Sequence, residues 1–338
     1  MEKSWKLLEP RVKLAEVVPL TTPFLVIIDV ANICNFKCNF CFQSVDKSKL
    51  RDMGFRPNVM EMDLFKKIID EVKKFPEQIK RMYLFAHGES LLNKNLPDMI
   101  AYTKEQNVAK VIQITTNGSL LNPDLNMKLI NAGLDELRIS IEGLSADKYK
   151  KVADVEIDFN LFLENIKHFY ENKGTCKLYV KAINVALDDG EENKFYQLFN
   201  DISDNASIEY VTPYYEGVEY NSLFPKHDKT ILGNQTREIS VCPRIFYILN
   251  ICPDGNITMC NVDNLEKYVF GNVQTHSLVE LWNGKQFTEL RMQHLKNKGK
   301  DHPLCRKCSC LNNCTQESDV LDDHRHEIIN RMCIAGGM

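Results

Sequence analysis

The sequence contains no long apolar run and no marked excess of charge of one sign. It carries 42 Lys and Arg against 46 Asp and Glu, a formal net charge of −4 over 338 residues. No apolar segment approaches the length of about 18 residues that a membrane span needs. These absences argue against nucleic acid or a membrane as the main partner. The N-terminal segment mixes both charge signs without a continuous apolar core, which argues against a secretory signal, so we expect a cytoplasmic protein.

Cysteine, in contrast, is frequent, with 12 residues in the chain. In a reducing compartment, clustered cysteines are more often metal ligands or catalytic groups than disulfides. The first group consists of Cys34, Cys38 and Cys41, and the second of Cys242, Cys260, Cys305, Cys308, Cys310 and Cys314. Cys176, Cys252 and Cys333 lie outside both groups, and we interpret Cys176 as an ordinary core or surface thiol.

Strand-like apolar segments alternate with segments of helical period between residues 24 and 215. The predicted strands cover 24–30, 81–87, 109–118, 134–143, 177–187 and 207–215, and the predicted helices cover 62–75, 95–106, 122–133, 159–172 and 191–201. This alternation predicts an α/β fold with a parallel sheet, open or curled into a partial (β/α)6 barrel. Ligands bind such sheets at the carboxyl ends of the strands, where the first cysteine group follows the first strand.

The pattern changes beyond residue 215. We expect an N-terminal extension at 1–23, the α/β core at 24–215, a linker at 216–241 and a small cysteine-rich domain at 242–338. Within that domain, 245–260 predicts a hairpin that turns at Pro253-Asp254-Gly255. Residues 277–294 have the period of one helix.

The first cysteine group is a candidate metal site. Structural zinc requires four ligands, and no fourth cysteine or histidine lies near Cys34, Cys38 and Cys41 in the sequence. Three thiolates on one short loop suit a [4Fe–4S] cluster with one iron left open. An open iron can bind a substrate or a cofactor.

The segment CNFKCNFC resembles the CxxxCxxC signature of radical S-adenosylmethionine (SAM) enzymes, including an aromatic residue, Phe40, before the third cysteine. The resemblance implies that SAM chelates the open iron and is cleaved reductively to a 5′-deoxyadenosyl radical, which abstracts a substrate hydrogen atom. It also implies an electron donor such as flavodoxin or ferredoxin. Phe40 would lie against the adenine region.

Further segments resemble motifs of this family. AHGES, residues 86–90, is similar to the Gly-Gly-Glu-Pro segment that receives the SAM amino group, although His87 and Ser90 depart from it. Gly88 and Glu89 are retained and are implied to contact SAM. Without the resemblance, the segment would be an ordinary turn at the end of a strand.

TTNG, residues 115–118, and RISIEG, residues 138–143, resemble family segments near the methionine moiety and the ribose. They imply that Thr116, Asn117 and Ser140 contact SAM. Either segment alone would need no cofactor. Lys181, on the fifth predicted strand, is either a contact of the SAM carboxylate or a solvated surface lysine.

The second cysteine group resembles the SPASM extension, which holds one or two auxiliary [4Fe–4S] clusters. The matching residues are Cys242, Cys260, Cys305, Cys308, Cys314 and Cys333. A further cysteine expected four positions beyond Cys314 is replaced by Ser318. A shorter, twitch-like variant in aminocyclitol dehydrogenases holds one cluster with four cysteines spaced like Cys242, Cys260, Cys305 and Cys308. A zinc ribbon built from these four cysteines is the alternative. His302, His324 and His326 are either further ligands or solvated side chains.

The resemblance leaves several functions open. We expect oxidation of a small sugar, aminocyclitol or polyol, with the substrate radical passing an electron to an auxiliary cluster. A peptide maturase and a radical epimerase are alternatives, and Cys252 would be the hydrogen donor of an epimerase. A metal-binding scaffold without activity is a remote alternative. Tyr214, Tyr215 and Glu216 either face the substrate or belong to the packing.

Overall fold

The predicted alternation of strands and helices is present in the computed structural model, which describes residues 11–213, 215, 218 and 229–335. The strands are β1 (Leu25–Ile28), β2 (Ile79–Tyr83), β3 (Ala109–Thr116), β4 (Glu136–Ile141), β5 (Lys177–Ile183), β6 (Asn205–Glu209), β7 (Ile248–Ile251), β8 (Asn256–Thr258) and β9 (Val269–Asn272). The α-helices are α1 (Leu14–Val17), α2 (Lys47–Asp52), α3 (Met62–Val72), α4 (Leu96–Gln106), α5 (Pro123–Asn131), α6 (Ala146–Ala153), α7 (Phe159–Asn172), α8 (Glu192–Phe199), α9 (Arg244–Tyr247), α10 (Leu278–Asn283), α11 (Lys285–Leu295), α12 (Pro303–Arg306), α13 (Cys310–Cys314) and α14 (Arg325–Ala335).

Strands β1 to β6 form the predicted parallel sheet of the α/β core. They lie side by side in the order β6-β5-β4-β3-β2-β1, and each neighbouring pair is parallel. Most strands are shorter than predicted, whereas α7 has the predicted bounds because the Asp158 side chain accepts hydrogen bonds from the first turn. The carboxyl ends of six strands therefore share one edge, where a ligand site is expected.

The two faces of this sheet differ in polarity. One face is apolar and packs against the helices, with Val26, Met82, Ile112, Leu137 and Val180 all buried in one core. The opposite face of the central strands carries charged and polar residues. There, Arg81 on β2 forms an ion pair with Glu136 on β4 and donates a hydrogen bond to Gln113 on β3. The sequence alternation thus separates a structural face from a polar face.

The C-terminal strands extend the core sheet, although the sequence suggested a separate unit. Strand β7 pairs in parallel with β1, and β8 and β9 continue the sheet in antiparallel fashion. The predicted hairpin is present and turns before Gly255, which has a φ of 84°. That conformation costs glycine little because it has no Cβ.

The single helix expected at 277–294 is wrong, because two helices, α10 and α11, meet at Gly284. A Cβ at Gly284 would lie 2.5 Å from the Glu280 carbonyl oxygen, so only glycine allows this close bend.

The N-terminal segment packs against the C-terminal region. Leu14 and Val18 are buried there beside Phe246 and Met259. Within the described ranges, no helix combines the length and the apolar character needed to cross a membrane.

Candidate active site and auxiliary cluster site

The first cysteine group lies on a loop that follows β1 at the carboxyl edge of the sheet. The backbone N–H groups of Lys37 and Asn39 each donate to carbonyls of α6 at 2.9 Å, and Cys41 N donates to the Cys38 carbonyl at 2.8 Å. Phe36 is buried and packs edge-on against Tyr149, with ring centroids 6.1 Å apart. These contacts hold the loop against the core without using the thiols.

The three thiols are close enough to influence one another. Burial raises the pKa of Cys34 to about 11 and that of Cys41 to about 12, and it raises the pKa of Cys38 strongly. The Glu142 carboxylate adds to all three shifts, and neighbouring thiols add to those of Cys38 and Cys41. Thiols with such pKa values stay protonated until a metal binds, and the three-sulfur donor set fits an iron–sulfur cluster.

Segment 88–89 lies directly against this cysteine loop. A Cβ at Gly88 would lie 2.3 Å from the carbonyl oxygens of both Ala31 and Ile33, so the approach requires glycine. Glu89 N donates to the Ile33 carbonyl at 2.8 Å. The end of β2 and the cysteine loop therefore form one continuous surface.

Glu89 connects the ends of β2 and β3. Its side chain is 2% exposed and accepts hydrogen bonds from Leu91 N at 2.9 Å, Thr116 Oγ1 at 2.6 Å and Asn117 N at 2.7 Å. Burial raises the pKa of Glu89, and these three donors oppose the shift. Asn117 Nδ2 in turn lies 3.9 Å from Cys34 Sγ. The structure thus brings together the residues that the sequence singled out in two separate motifs.

The other predicted SAM contacts lie around the same loop. Phe40 is buried and packs with Val152 and Ala186, and Ser140 lies on β4 opposite Lys181 on β5. Lys181 Nζ forms an ion pair of 2.8 Å with Glu209. The Lys181 side chain is 21% exposed, so it is partly buried and paired rather than fully solvated.

Glu142 is a site residue that the sequence analysis did not identify. It is 5% exposed, accepts a hydrogen bond from the Cys38 thiol, and has its pKa raised to about 7 by burial, while Lys181 opposes the shift. Its position directly after β4, within the RISIEG segment, was the one feature of the sequence that could have indicated a role in the site. Contact with Cys38 could not be deduced, because residues 38 and 142 meet only through the fold.

His87, which replaces a glycine of the family motif, joins the two halves of the site. Nδ1 lies 3.0 Å from Asp29 Oδ2, and Nε2 lies 2.8 Å from the Asn261 carbonyl oxygen. Because a carbonyl only accepts, Nε2 carries a proton. Burial alone would lower the pKa of His87, but the hydrogen bond and charge of Asp29 raise it. Asn261 follows Cys260 directly, so His87 connects segment 86–90 to the second cysteine group.

Five of the six cysteines of the second group line one cavity, called here the auxiliary cavity. Its lining includes Cys242, Cys260, Cys305, Cys308 and Cys310. Burial raises the pKa values of Cys305 and Cys308 to about 12. The four cysteines of the shorter pattern are thus assembled in one place, with Cys310 as an additional neighbour.

Two polar side chains of the auxiliary cavity have buried nitrogen atoms for which no described residue accepts. They are His294 Nε2 and Arg244 Nε. Arg244 also donates to Asn261 Oδ1 at 2.7 Å, and its charge acts on Cys260, Cys310 and Cys314. A site rich in thiols and buried donors suits an anionic group with sulfur acceptors, which describes an iron–sulfur cluster. Neither residue carried a signal in the sequence.

The remaining cysteines of the longer pattern are placed differently. Cys314 forms a hydrogen bond with Cys310, and this bond, together with the charge of Arg244, lowers the pKa of Cys310 to about 6. Ser318 accepts a hydrogen bond from Arg11 Nε at 3.1 Å. Cys333 lies on α14 and does not contribute to the described lining of the auxiliary cavity. The geometry around the cavity therefore favours the shorter pattern.

The candidate residues outside these two groups have mainly structural contacts. Cys252 is 1% exposed, and Cys176 is buried in the core. His302 accepts from Leu304 N at the start of α12, and His324 and His326 are exposed. Tyr215 packs against Phe42 with ring centroids 5.1 Å apart. Tyr214 and Glu216 lie outside the described residues.

Comparison with known proteins assigns the family. The sequence pattern of the Radical SAM superfamily matches residues 28–198, and that of the SPASM iron–sulfur cluster-binding domain matches residues 242–309. The match to the SPASM domain favours iron–sulfur binding over zinc binding at the second cysteine group. A "Tungsten-containing aldehyde ferredoxin oxidoreductase cofactor-modifying protein" of Pyrococcus furiosus is 24% identical over 332 residues, which is 85% of this chain and 87% of that protein.

Two solved structures have a similar fold. BtrN, in complex with AdoMet and 2-DOIA, is 19% identical with a TM-score of 0.55, covering 88% of this chain and 98% of its own. SuiB of Streptococcus suis, bound to precursor peptide SuiA, is 14% identical with a TM-score of 0.61, covering 89% and 73%. The two matches imply that the cofactors are SAM, a SAM-binding [4Fe–4S] cluster and auxiliary clusters. Because the superfamily pattern matches half of its length, the chain belongs to the radical SAM superfamily and carries a SPASM domain.

Proposed function

We propose that this radical SAM enzyme removes two electrons and two hydrogens from a small polar substrate, such as a sugar, polyol or aminocyclitol. The observation that carries the proposal is the hydrogen bond of 2.8 Å between His87 Nε2 and the Asn261 carbonyl. It joins the segment that would bind SAM to the loop that bears Cys260. Such proximity suits a reaction in which the second electron leaves toward an auxiliary cluster.

The residues divide into two binding sets. Cys34, Cys38 and Cys41 would hold the SAM-binding cluster, and Cys242, Cys260, Cys305 and Cys308 would hold the auxiliary cluster. When bound, these groups supply the reductive cleavage of SAM and the acceptor for the second electron. Glu89 would receive the SAM amino group and also fixes Thr116 and Asn117. A low-potential donor such as flavodoxin or ferredoxin would serve the enzyme in a reducing compartment such as the cytoplasm.

Charged side chains beside the cysteine loop support a hydrophilic substrate. Glu142 contacts Cys38, Lys181 acts on Glu142, and Glu209 pairs with Lys181. All three lie at or near the carboxyl ends of β4, β5 and β6. Hydroxyl and amino groups can form hydrogen bonds with both signs of charge, whereas an apolar substrate would leave these groups desolvated.

The environment of Cys252 supports oxidation over epimerisation. Its thiol is 1% exposed and lies 3.9 Å from Asn250 Nδ2, within the polar end of β7. A hydrogen donor must reach the substrate radical, and a thiol enclosed in this way is poorly placed to do so. Peptide modification is the second candidate, supported by the similarity of fold to SuiB bound to its precursor peptide.

The test is an anaerobic assay of the reconstituted enzyme with SAM, a reductant and a panel of polyols, amino sugars and aminocyclitols. We expect one 5′-deoxyadenosine for each product that is lighter than its substrate by two hydrogens, measured by mass spectrometry. Cys38→Ala should abolish SAM cleavage, whereas Cys260→Ala should retain cleavage and lose the product. Turnover with a product of unchanged mass, or only with peptides, would contradict the proposal.

A further inference from the structure

His294 is a buried histidine on α11 that lines the auxiliary cavity. It is 1% exposed, and among the described residues nothing accepts a hydrogen bond from Nε2. Buried polar atoms are nearly always paired in native proteins, and because Nε2 lines the auxiliary cavity, we take the group that fills the cavity as its partner. The other nitrogen determines what kind of partner this is.

The Cys242 N–H donates a hydrogen bond of 3.3 Å to His294 Nδ1. A nitrogen that accepts a hydrogen bond carries no proton, so the ring proton of His294 lies on Nε2. The Ser240 carbonyl is also near the ring and would favour the opposite arrangement, in which Nε2 is free to bind iron. The bond from the Cys242 N–H, with donor and acceptor 3.3 Å apart, determines the tautomer.

The ring of His294 is held in one orientation by Gly299. A Cβ at Gly299 would lie 2.4 Å from Nδ1 and 2.5 Å from Cε1. The backbone of residue 299 therefore forms a wall against the ring, and any larger residue would displace it. This gives a way to move the imidazole without removing it.

We propose that His294 donates an Nε2–H···S hydrogen bond to the auxiliary cluster and thereby raises the cluster's reduction potential. The inference rests on the assignment of Cys242, Cys260, Cys305 and Cys308 as its ligands, but not on the identity of the substrate. A donor aimed at a cluster sulfur stabilises the added negative charge of the reduced state. His294 would thus make the auxiliary cluster a better electron acceptor.

The experiment measures the potential of the auxiliary cluster alone. In a Cys34→Ala/Cys38→Ala/Cys41→Ala background, which removes the SAM-binding cluster, iron content is determined and the reduced fraction is followed by electron paramagnetic resonance during redox titration. His294→Leu should lower the ratio of reduced to oxidised cluster about tenfold at a fixed potential, a shift of about 59 mV for one electron. His294→Gln, which keeps an N–H donor, should recover part of the shift.

Two further variants make the result decisive. Gly299→Ala, like His294→Leu, should lower the reduction potential of the auxiliary cluster, because it displaces the imidazole ring while keeping the histidine. His276→Leu, at an exposed histidine, should leave the potential unchanged. An unchanged potential in His294→Leu with full iron content would overturn the proposal. Loss of the cluster in both His294→Leu and His294→Gln, with Gly299→Ala unshifted, would overturn it in favour of iron ligation. Failure of all variants to bind iron at the four cysteines would instead refute the ligand assignment, whatever the substrate.

Discussion

Replacement of Glu89 by glutamine should affect both the stability of the fold and the affinity for SAM, and the two effects can be measured separately. The Glu89 carboxylate accepts three hydrogen bonds, two at Oε1 and one at Oε2. Glutamine can keep the two bonds at Oε1 with its carbonyl oxygen. Its amide nitrogen then faces the Asn117 N–H, which lies 2.7 Å from Oε2 in the native protein. Two donors would meet in a buried position.

The expected cost follows from this geometry. One hydrogen bond to a charged acceptor is lost, and the buried Asn117 N–H is left without a partner, which together amount to about 1.5–3 kcal/mol. If the carboxylate also receives the SAM amino group, SAM affinity should fall by about tenfold or more, since about 1.4 kcal/mol corresponds to a factor of ten.

Both effects can be measured on the same protein. Urea unfolding gives the loss of stability, and anaerobic titration calorimetry gives the SAM dissociation constant, with iron content as the check on the cluster. Glu164→Gln, at an exposed position of α7, is the matched control and should change neither quantity. Unchanged SAM affinity in Glu89→Gln would place this carboxylate outside the cofactor site. Unchanged stability would refute the hydrogen-bond reasoning.

Four other changes test separate parts of the structure. His87→Gly should lower the free energy of unfolding by about 3–5 kcal/mol, because the buried Asp29 carboxylate loses the imidazole and keeps only the N–H of residue 87. A much smaller loss in urea unfolding would contradict this reasoning. Gly88→Ala should reduce iron incorporation at the SAM-binding cluster, since its Cβ would collide with two carbonyl oxygens of the cysteine loop; normal iron content would contradict this. Burial and repulsion from a neighbouring carboxylate raise the pKa of Glu266 to about 7, from about 4.5 when unfolded. Charging this group therefore destabilises the fold, and the loss builds up as pH rises from about 4.5 to about 7 and then levels off. Glu266→Gln should raise the urea midpoint increasingly over that interval, and a constant difference would refute the reasoning. Cys252→Ala should retain turnover, whereas lost activity together with solvent deuterium in the product carbon would indicate epimerisation.

Local sequence determined much of this protein. Cys34, Cys38 and Cys41 lie within one loop, so their spacing is visible in the sequence. The motifs containing Glu89 and Thr116 follow strands whose carboxyl ends lie at the same edge of any parallel sheet. Helix α7 was predicted with its observed bounds because its cap and its apolar period lie in the same short segment. Interactions of this kind depend on neighbours along the chain, and a single sequence contains them.

Tertiary structure alone decided what surrounds those motifs. Glu142 reaches Cys38, and His87 reaches Asn261, across 104 and 174 positions of the chain respectively. His294 enters the auxiliary cavity from a helix whose sequence has no metal-binding pattern. The joining of β7 to β1 likewise depends on which sheet edge is open after the core has folded. Burial, charge and hydrogen bonding at these positions arise from packing between distant segments, which residue spacing does not specify.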